Sequence, residues 1–270
     1  MPFFNHKEIQ LYYEQHGSGP PLLLIAGLAS DSQSWLPVIE GLSKQFTVIL
    51  LDNRGVGRST QECEISISLM ADDCAALIRH LGYQRVAVTG HSMGGMIAME
   101  LSRQYPDLVD RLVLVATTAK NSVRNNLLFQ DWADWYESGH DRAAWFRSLL
   151  YWIFTERFFQ NSAMVDVVLT YLLCYPWPQS PQAFRQQVQA IAGFDATPWL
   201  GQIAAPTCVL AGEQDLLIPL ELSICLAQQV PNAVLKVVKG AAHSVHSEQP
   251  EAFVQAVFDF FKGEADAFCA

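Results

Sequence analysis

The strongest limit on how this chain can fold is a set of glycines around one serine, Gly90-His91-Ser92-Met93-Gly94-Gly95. The motif directly follows an apolar run at 86–88 and precedes a helical pattern. Because glycine has no Cβ, its backbone can approach neighbouring segments closely. The pattern is typical of a strand that turns sharply into a helix and leaves the serine hydroxyl exposed. The turn also directs the Met93 N–H and the helix N-terminus toward one point, where negative charge is stabilised.

Two loops near the C-terminal end carry the other residue types that a nucleophilic serine requires. A serine hydroxyl is a weak nucleophile at neutral pH and needs a base, which in turn needs an orienting acid. Asp215 follows an apolar run at 207–211, and His243 follows another at 234–238. Serine, acid and histidine, in that order and each just past a strand, form one known arrangement of a Ser-His-Asp triad. We therefore interpret Ser92 as a nucleophile, with an incidental serine in a glycine-rich turn as the alternative.

At these motifs the chain resembles the α/β-hydrolase superfamily, and the resemblance covers essentially its full length. The matching motifs are the nucleophile elbow at 90–95, the Asp-x-Arg-Gly-x-Gly-x-Ser loop at 52–59, the acid loop at 212–219 and the base loop at 240–250. Residues 191–195 and 203–207 are similar, more weakly, to the 3-oxoadipate enol-lactonase-like group of small carboxylesterases. The resemblance implies the α/β-hydrolase fold, with a mostly parallel, doubly wound sheet of about eight strands and an inserted helical cap.

The resemblance also implies an oxyanion hole formed by the backbone N–H groups of Leu28 and Met93. One residue departs from the family pattern. The family usually has His-Gly after its third strand, whereas this chain has Ala26 followed by Gly27. Ala26 removes an imidazole that normally braces the loop, but it leaves the main-chain donor of Leu28. We therefore expect a weakened oxyanion hole that is still present.

Two of the proposed roles have competitors nearby in the sequence. His246 is the alternative base, but the spacing of His243 to the later part of its loop fits the family pattern and that of His246 does not. Asp52 and Glu213 are the alternatives to Asp215 as the acid. Asp52 lies in the glycine-rich loop after the predicted fourth strand, where we expect it to stabilise a turn. We therefore predict Ser92, Asp215 and His243 as the catalytic residues.

The rest of the chain alternates between strand and helix patterns. Short, continuously apolar runs at 22–25 and 47–51 are typical of strands buried on both faces of a parallel sheet,. Residues 68–81 form an amphipathic helical pattern,. We expect Asp72 and Asp73, in the early turns of this helix, to be solvated. The alternation predicts a doubly wound sheet with the site at the carboxyl ends of its strands.

The strand pattern stops at about residue 120 and resumes after 193. The intervening segment is helical in character and rich in large aromatic residues. We predict a hydrolase core formed by residues 1–119 and 194–270, and a helical cap formed by residues 120–193. Most of the aromatic rings are expected to form the core of the cap, and a few to line an apolar pocket over Ser92.

The composition excludes several kinds of partner. The formal net charge of −10 argues against nucleic acid and anionic membrane surfaces, which would repel the protein,. The six cysteines show no metal-ligand spacing, and the proposed chemistry needs neither a metal nor an organic cofactor,. The first residues lack the pattern of a secretion signal, so we expect a cytoplasmic enzyme. The sequence leaves a homo-oligomer open.

These inferences predict a serine hydrolase that cleaves a small, fairly apolar carboxylic ester or lactone through an acyl-enzyme intermediate. A hydrolase of carbon–carbon bonds in meta-cleavage products is the enzymatic alternative, because such enzymes use the same triad. The other alternative is a non-enzymatic ligand receptor with the hydrolase fold. An enzyme would turn over a small ester repeatedly, whereas a receptor would not.

Overall fold

One eight-stranded β-sheet forms the centre of the protein, in a computed structural model that describes residues 2–262. The strands are β1 (Phe3–His6), β2 (Ile9–His16), β3 (Pro21–Ile25), β4 (Thr47–Leu51), β5 (Val86–His91), β6 (Val109–Val115), β7 (Thr207–Gly212) and β8 (Val234–Val238). Their order is β1-β2-β4-β3-β5-β6-β7-β8, with β1 and β2 antiparallel to their neighbours and the other strands parallel. The prediction of a mostly parallel sheet of about eight strands is confirmed.

The α-helices of the described range alternate with these strands. They are α1 (Leu36–Leu42), α2 (Ile67–His80), α3 (Met93–Gln104), α4 (Val123–Ser138), α5 (Arg142–Ile153), α6 (Glu156–Phe159), α7 (Ser162–Leu173), α8 (Pro181–Ala192), α9 (Leu220–Gln229), α10 (Val245–Glu248) and α11 (Pro250–Lys262). None of these described helices combines the length and the apolar character that crossing a bilayer requires.

Strand β3 is apolar along its whole length because helices cover both faces of the sheet. In β3, Leu23 and Ile25 pack in one cluster with residues of α2 and α3. Leu22 and Leu24 point to the opposite face and pack with residues of α1 and α11. Successive side chains of a strand point to opposite faces, so a strand covered on both sides buries nearly all of its side chains and is mostly apolar.

Helices α4 to α8 all lie between β6 and β7, within the segment predicted as the cap. Aromatic stacking holds them together: the Tyr136 and Trp145 rings stack with centroids 4.3 Å apart, and the edge of Phe184 packs against both. The division into a core (1–119 and 194–270) and a cap (120–193) stays a prediction. Residues 263–270, which that prediction assigns to the core, lie outside the described range.

The expectation that Asp73 is solvated is wrong. Its side chain is buried, and its two carboxylate oxygens accept hydrogen bonds from Arg54 Nε and Nη2 at 2.6 and 2.7 Å. Arg54 belongs to the glycine-rich loop after β4, so this ion pair joins that loop to α2. Arg54 lies 19 residues before Asp73 in the sequence, so the periodicity of the helix alone cannot identify it as the partner of Asp73.

Candidate active site

Ser92 lies at the turn between β5 and α3 with φ 54° and ψ −118°, a backbone conformation that non-glycine residues rarely adopt,. This turn requires glycines because neighbouring backbone segments leave no space for a Cβ. A Cβ on Gly90 would collide with the backbone of Gly94, and a Cβ on Gly94 would collide with the carbonyl of Ile25. The turn is held by hydrogen bonds from Ser92 N to Val115 O at 2.9 Å and from Thr117 Oγ1 to Ser92 O at 2.7 Å.

The loops after β7 and β8 bring the predicted acid and base together. His243 Nδ1 lies 2.9 Å from Asp215 Oδ2, and both residues are buried. A carboxylate only accepts hydrogen bonds, so Nδ1 is the donor. The other oxygen of Asp215 accepts hydrogen bonds from the N–H groups of Leu217 and Ile218 at 2.9 and 2.8 Å. These bonds fix the carboxylate with one oxygen directed at the imidazole.

Ser92 and His243 line the same cavity. Within residues 2–262, no hydrogen bond joins the Ser92 hydroxyl to the imidazole. The structure thus pairs two of the three predicted catalytic residues directly and places the third in the cavity beside them.

The competing candidates lie in other surroundings. The carboxylate of Asp52 accepts hydrogen bonds from Ser32 N at 3.0 Å and from Arg58 N at 2.9 Å, which stabilises the loops after β3 and β4. Glu213 accepts a hydrogen bond from Gly240 N at 3.0 Å. His246 packs against Trp35, with ring centroids 4.6 Å apart, and its Nδ1 has no hydrogen-bond partner within the described range. His243 is the histidine of this loop that contacts a carboxylate.

The predicted oxyanion donors lie beside Ser92, the candidate nucleophile. Met93 is the first residue of α3, so its N–H has no acceptor within the helix,. Leu28 belongs to the loop after β3, which packs so closely on the elbow that a Cβ on Gly27 would lie 3.2 Å from the Cβ of Ser92. In the part of the chain that the structure describes, neither the Leu28 nor the Met93 N–H is bonded to an acceptor. Both groups remain available to a ligand.

Two further histidines, His91 and His246, lie next to His243, the candidate base, and both have lowered pKa values. His91 Nε2 donates a hydrogen bond to His243 O at 2.9 Å. Burial lowers the pKa of His91 well below its ordinary value, and the nearby His246 and His243 lower it further,. Burial, with a contribution from His243, lowers the pKa of His246 to about 3. A neutral His91 can support the base loop without placing a positive charge next to the His243 imidazole.

The cavity over Ser92 has a volume of about 820 Å³ and mostly apolar walls. Its aromatic wall consists of Phe129, Trp132, Phe146, Phe154, Phe158 and Tyr171, which come from α4, α5, α6 and α7 and the turn between α5 and α6. Arg157 is the one lysine or arginine that lines it among the described residues. Glu248 is the one aspartate or glutamate that lines it among the described residues, and its two carboxylate oxygens accept hydrogen bonds from Ala242 and Thr155. The cavity therefore suits a small, largely apolar ligand.

Gln187 contributes a contact near the candidate oxyanion loop that was not predicted from the sequence. This residue lies on α8, is fully buried, and accepts a hydrogen bond from Ala29 N, next to Leu28, at 3.2 Å. A usable signal was present, because Gln187 interrupts the buried face that Ala183, Phe184, Val188 and Ile191 form. A polar side chain on the apolar face of a helix indicates a specific partner. Within residues 2–262, no group of three or more His, Cys, Asp or Glu side chains is arranged to hold a metal ion.

Comparison with known proteins agrees with this architecture. A family model described as "alpha/beta hydrolase fold" matches residues 20–250. A relative from Azorhizobium caulinodans, named "Putative carbamate hydrolase RutD", is 31% identical over 98% of this chain and 100% of its own length.

Two solved structures are similar to the whole chain. A thermophilic esterase from Thermogutta terrifontis has a TM-score of 0.84 and 28% identity, covering 95% of this chain and 94% of that one. A protein from Mycobacterium tuberculosis named "Putative non-heme bromoperoxidase BpoC" has a TM-score of 0.86 and 28% identity, covering 96% and 98% of the two chains. With the family match over residues 20–250, these similarities show that the chain belongs to the α/β-hydrolase family and is a hydrolase-fold enzyme.

Proposed function

We propose that this protein is a serine hydrolase that cleaves a small, fairly apolar carboxylic ester or lactone. The observation that carries the proposal is the buried His243–Asp215 pair, which lies in the loops beside the strained elbow of Ser92. A carboxylate fixed on Nδ1 leaves Nε2 of the imidazole without a proton, as a general base requires. Two similar proteins support the proposal by their names: one is an esterase, and the other is named a putative carbamate hydrolase. Hydrolysis of an ester and hydrolysis of a carbamate both begin with attack on a carbonyl carbon.

The proposed reaction begins when Ser92 Oγ attacks the carbonyl carbon and His243 takes the hydroxyl proton. The N–H groups of Leu28 and Met93 bind the oxyanion that develops on the carbonyl oxygen. The imidazolium then protonates the leaving alcohol, and a water activated by His243 releases the acyl group from Ser92. Asp215 stays ionised and stabilises the imidazolium. Catalytic hydrogen bonds often shorten only when substrate binds, so contact between Ser92 and His243 is expected in the complex.

The enzymatic alternative receives no support from the arginine on the nucleophile helix. Such a carbon–carbon hydrolase is expected to place an arginine near the nucleophile helix to hold a dienoate carboxylate. Arg103, near the end of α3, is paired with Glu100 at 2.6 Å and lines a separate cleft. The aromatic wall of the main cavity instead favours an apolar acyl group,.

Replacing Ser92 or His243 by alanine tests the proposal. With p-nitrophenyl butyrate as substrate, we expect kcat to fall on the order of 10⁶-fold, because the nucleophile and its base act as a unit. A fluorophosphonate probe should label the wild type and leave Ser92→Ala unlabelled.

The matched control is Ser138→Ala, which changes an exposed serine at the end of α4. It should hydrolyse the ester like the wild type. Repeated turnover by Ser92→Ala near the wild-type rate, or labelling that does not depend on Ser92, would disprove the proposal. A single stoichiometric release of product by the wild type would favour the receptor alternative.

A further inference from the structure

Glu248 joins two segments that are far apart in sequence, using both of its carboxylate oxygens. Oε2 accepts a hydrogen bond from Ala242 N at 2.8 Å. Oε1 accepts hydrogen bonds from Thr155 N at 2.9 Å and from Thr155 Oγ1 at 2.6 Å. Thr155 is buried, and hydrogen bonds to an ionised acceptor are roughly twice as strong as neutral ones,. The connection between the base loop and the end of α5 is therefore a strong one.

These contacts hold the backbone on both sides of His243. Ala242 N is bonded to Glu248, and Ser244 N donates a hydrogen bond to Ile153 O at 3.0 Å. The carbonyl of His243 itself accepts the hydrogen bond from His91. A shift of the His243 backbone, which carries the imidazole, would therefore strain or break one of these bonds.

The segment that Glu248 holds also forms part of the cavity wall. Ile153, Phe154, Thr155 and Phe158 line the cavity together with Ser92. The rings of Phe154 and Phe158 stack with centroids 4.2 Å apart, so they form one continuous part of this wall. A ligand in the cavity thus contacts the segment whose position is tied to the base loop.

We propose that Glu248 is a positioning residue, which keeps His243 aligned with Asp215 and ties that alignment to residues 153–158 of the cavity wall. The inference rests on the proposed role of His243 as the base. Glu248 acts through the backbone of Ala242 and has no part in proton transfer itself. Because a misplacement of about 1 Å can reduce a rate by about 10²-fold, loss of this contact should lower kcat and leave KM nearly unchanged.

Substitutions at both ends of the contact test the inference, with p-nitrophenyl butyrate as substrate. Glu248→Ala should lower kcat by about 10²-fold, with KM within about threefold of the wild type. Glu248→Gln keeps one carbonyl acceptor and should recover about tenfold of that loss. Thr155→Val removes only the hydroxyl and should lower kcat by about three- to tenfold, since one hydrogen bond to a charged group is lost. Thr155→Ser keeps the hydroxyl and should restore the wild-type rate.

Glu251→Gln is the matched control, because Glu251 is an exposed carboxylate at the start of α11. It should leave kcat and KM unchanged. Circular dichroism identifies variants that fail to fold, and the Thr155→Val and Thr155→Ser pair tests the contact with a minimal change. The rate of Ser92 labelling by a fluorophosphonate gives a second readout and should fall in parallel with kcat.

Two outcomes would overturn the inference: a wild-type kcat in folded Glu248→Ala and Thr155→Val, or a rise in KM at constant kcat. Ser92→Ala and His243→Ala are assayed in the same series. If those two variants remain active, the proposed function itself fails. If they are inactive while the Glu248 variants keep the wild-type kcat, only the positioning role is lost.

Discussion

Buried histidines next to the proposed base make the stability of this protein sensitive to acid. His246 is packed between Trp35 and Phe253, and burial lowers its pKa to about 3. An unfolded chain protonates histidine near pH 6.5. As the pH falls from about 6.5 toward 3, the unfolded state therefore takes up a proton that the folded state does not,. The free energy of unfolding decreases over this interval, and the depressed pKa of His91 adds to the effect.

Replacing His246 by phenylalanine should make this pH dependence less steep. The variant cannot take up the proton at this position on unfolding, so the slope of the unfolding free energy should fall by up to about 1.4 kcal/mol per pH unit. Urea unfolding at several pH values between about 4 and 6 measures the slope, within the window below the ordinary histidine pKa. His140→Phe, at an exposed position, is the control. An unchanged slope in His246→Phe would contradict the assignment.

The loop after β4 and helix α2 act as one unit because of the pair formed by Arg54 and Asp73. Arg54 also donates a hydrogen bond from Nη1 to Glu64 O at 2.8 Å. Its guanidinium therefore connects the loop after β4, the backbone at Glu64 and helix α2. The helix itself could be predicted at 68–81 from its periodicity, close to the observed Ile67–His80. The ion pair could not, because an aspartate in the early turns of a helix is equally compatible with a solvated position.

Asp73→Ala should lower the free energy of unfolding by about 3–5 kcal/mol, because it leaves the buried Arg54 without its carboxylate,. Guanidinium unfolding measures the loss. Asp131→Ala removes an exposed carboxylate from α4 and should change stability by less than about 0.5 kcal/mol,. If both variants unfold at the same denaturant concentration, the pair makes no net contribution. The double variant Arg54→Met/Asp73→Leu should recover part of the stability, since no unpaired charge remains.

In the whole molecule, the segment predicted as the cap contacts each of the three loops that hold the candidate oxyanion donor, acid and base. The bonds join Ala29 N to Gln187 Oε1 at 3.2 Å, Asn125 Nδ2 to Leu217 O at 2.7 Å, and Ser244 N to Ile153 O at 3.0 Å. Most of these groups are buried, so the bonds are protected from competition with water,. We therefore propose that residues 120–193 keep the three candidate catalytic loops in place in addition to lining the cavity.

Gln187→Met tests this proposal, because methionine has a similar volume and lacks the carbonyl acceptor. Without that acceptor Ala29 N is unpaired, and Ala29 holds a positive φ of 57° next to Leu28. We expect kcat to fall by about tenfold through a less well placed Leu28 N–H. Steady-state kinetics with p-nitrophenyl butyrate measures the effect, and Gln182→Met, exposed on the same helix, is the control. Equal kcat values for the two variants would refute the role of Gln187.

The features that could be predicted from sequence are those set by neighbours along the chain. A strand covered on both faces is mostly apolar, as in β3 and β4, and the tight turn at Ser92 requires glycines at 90 and 94,. Local patterns of this kind were sufficient to predict the sheet and the order of the candidate catalytic loops along the chain. The sequence also named Ser92, Asp215 and His243, and their joint role stays a proposal.

The contacts that required the folded structure join residues distant in sequence. Thr155 with Glu248, Arg54 with Asp73 and Ala29 with Gln187 are pairs of common polar residues, and their types alone do not identify their partners. Packing brings each pair together and buries at least one partner of each, and a polar group without water must find a protein partner,. The physical reason is that hydrophobic periodicity reports which face of an element is buried, whereas the identity of a buried hydrogen-bond partner depends on how the elements pack in three dimensions.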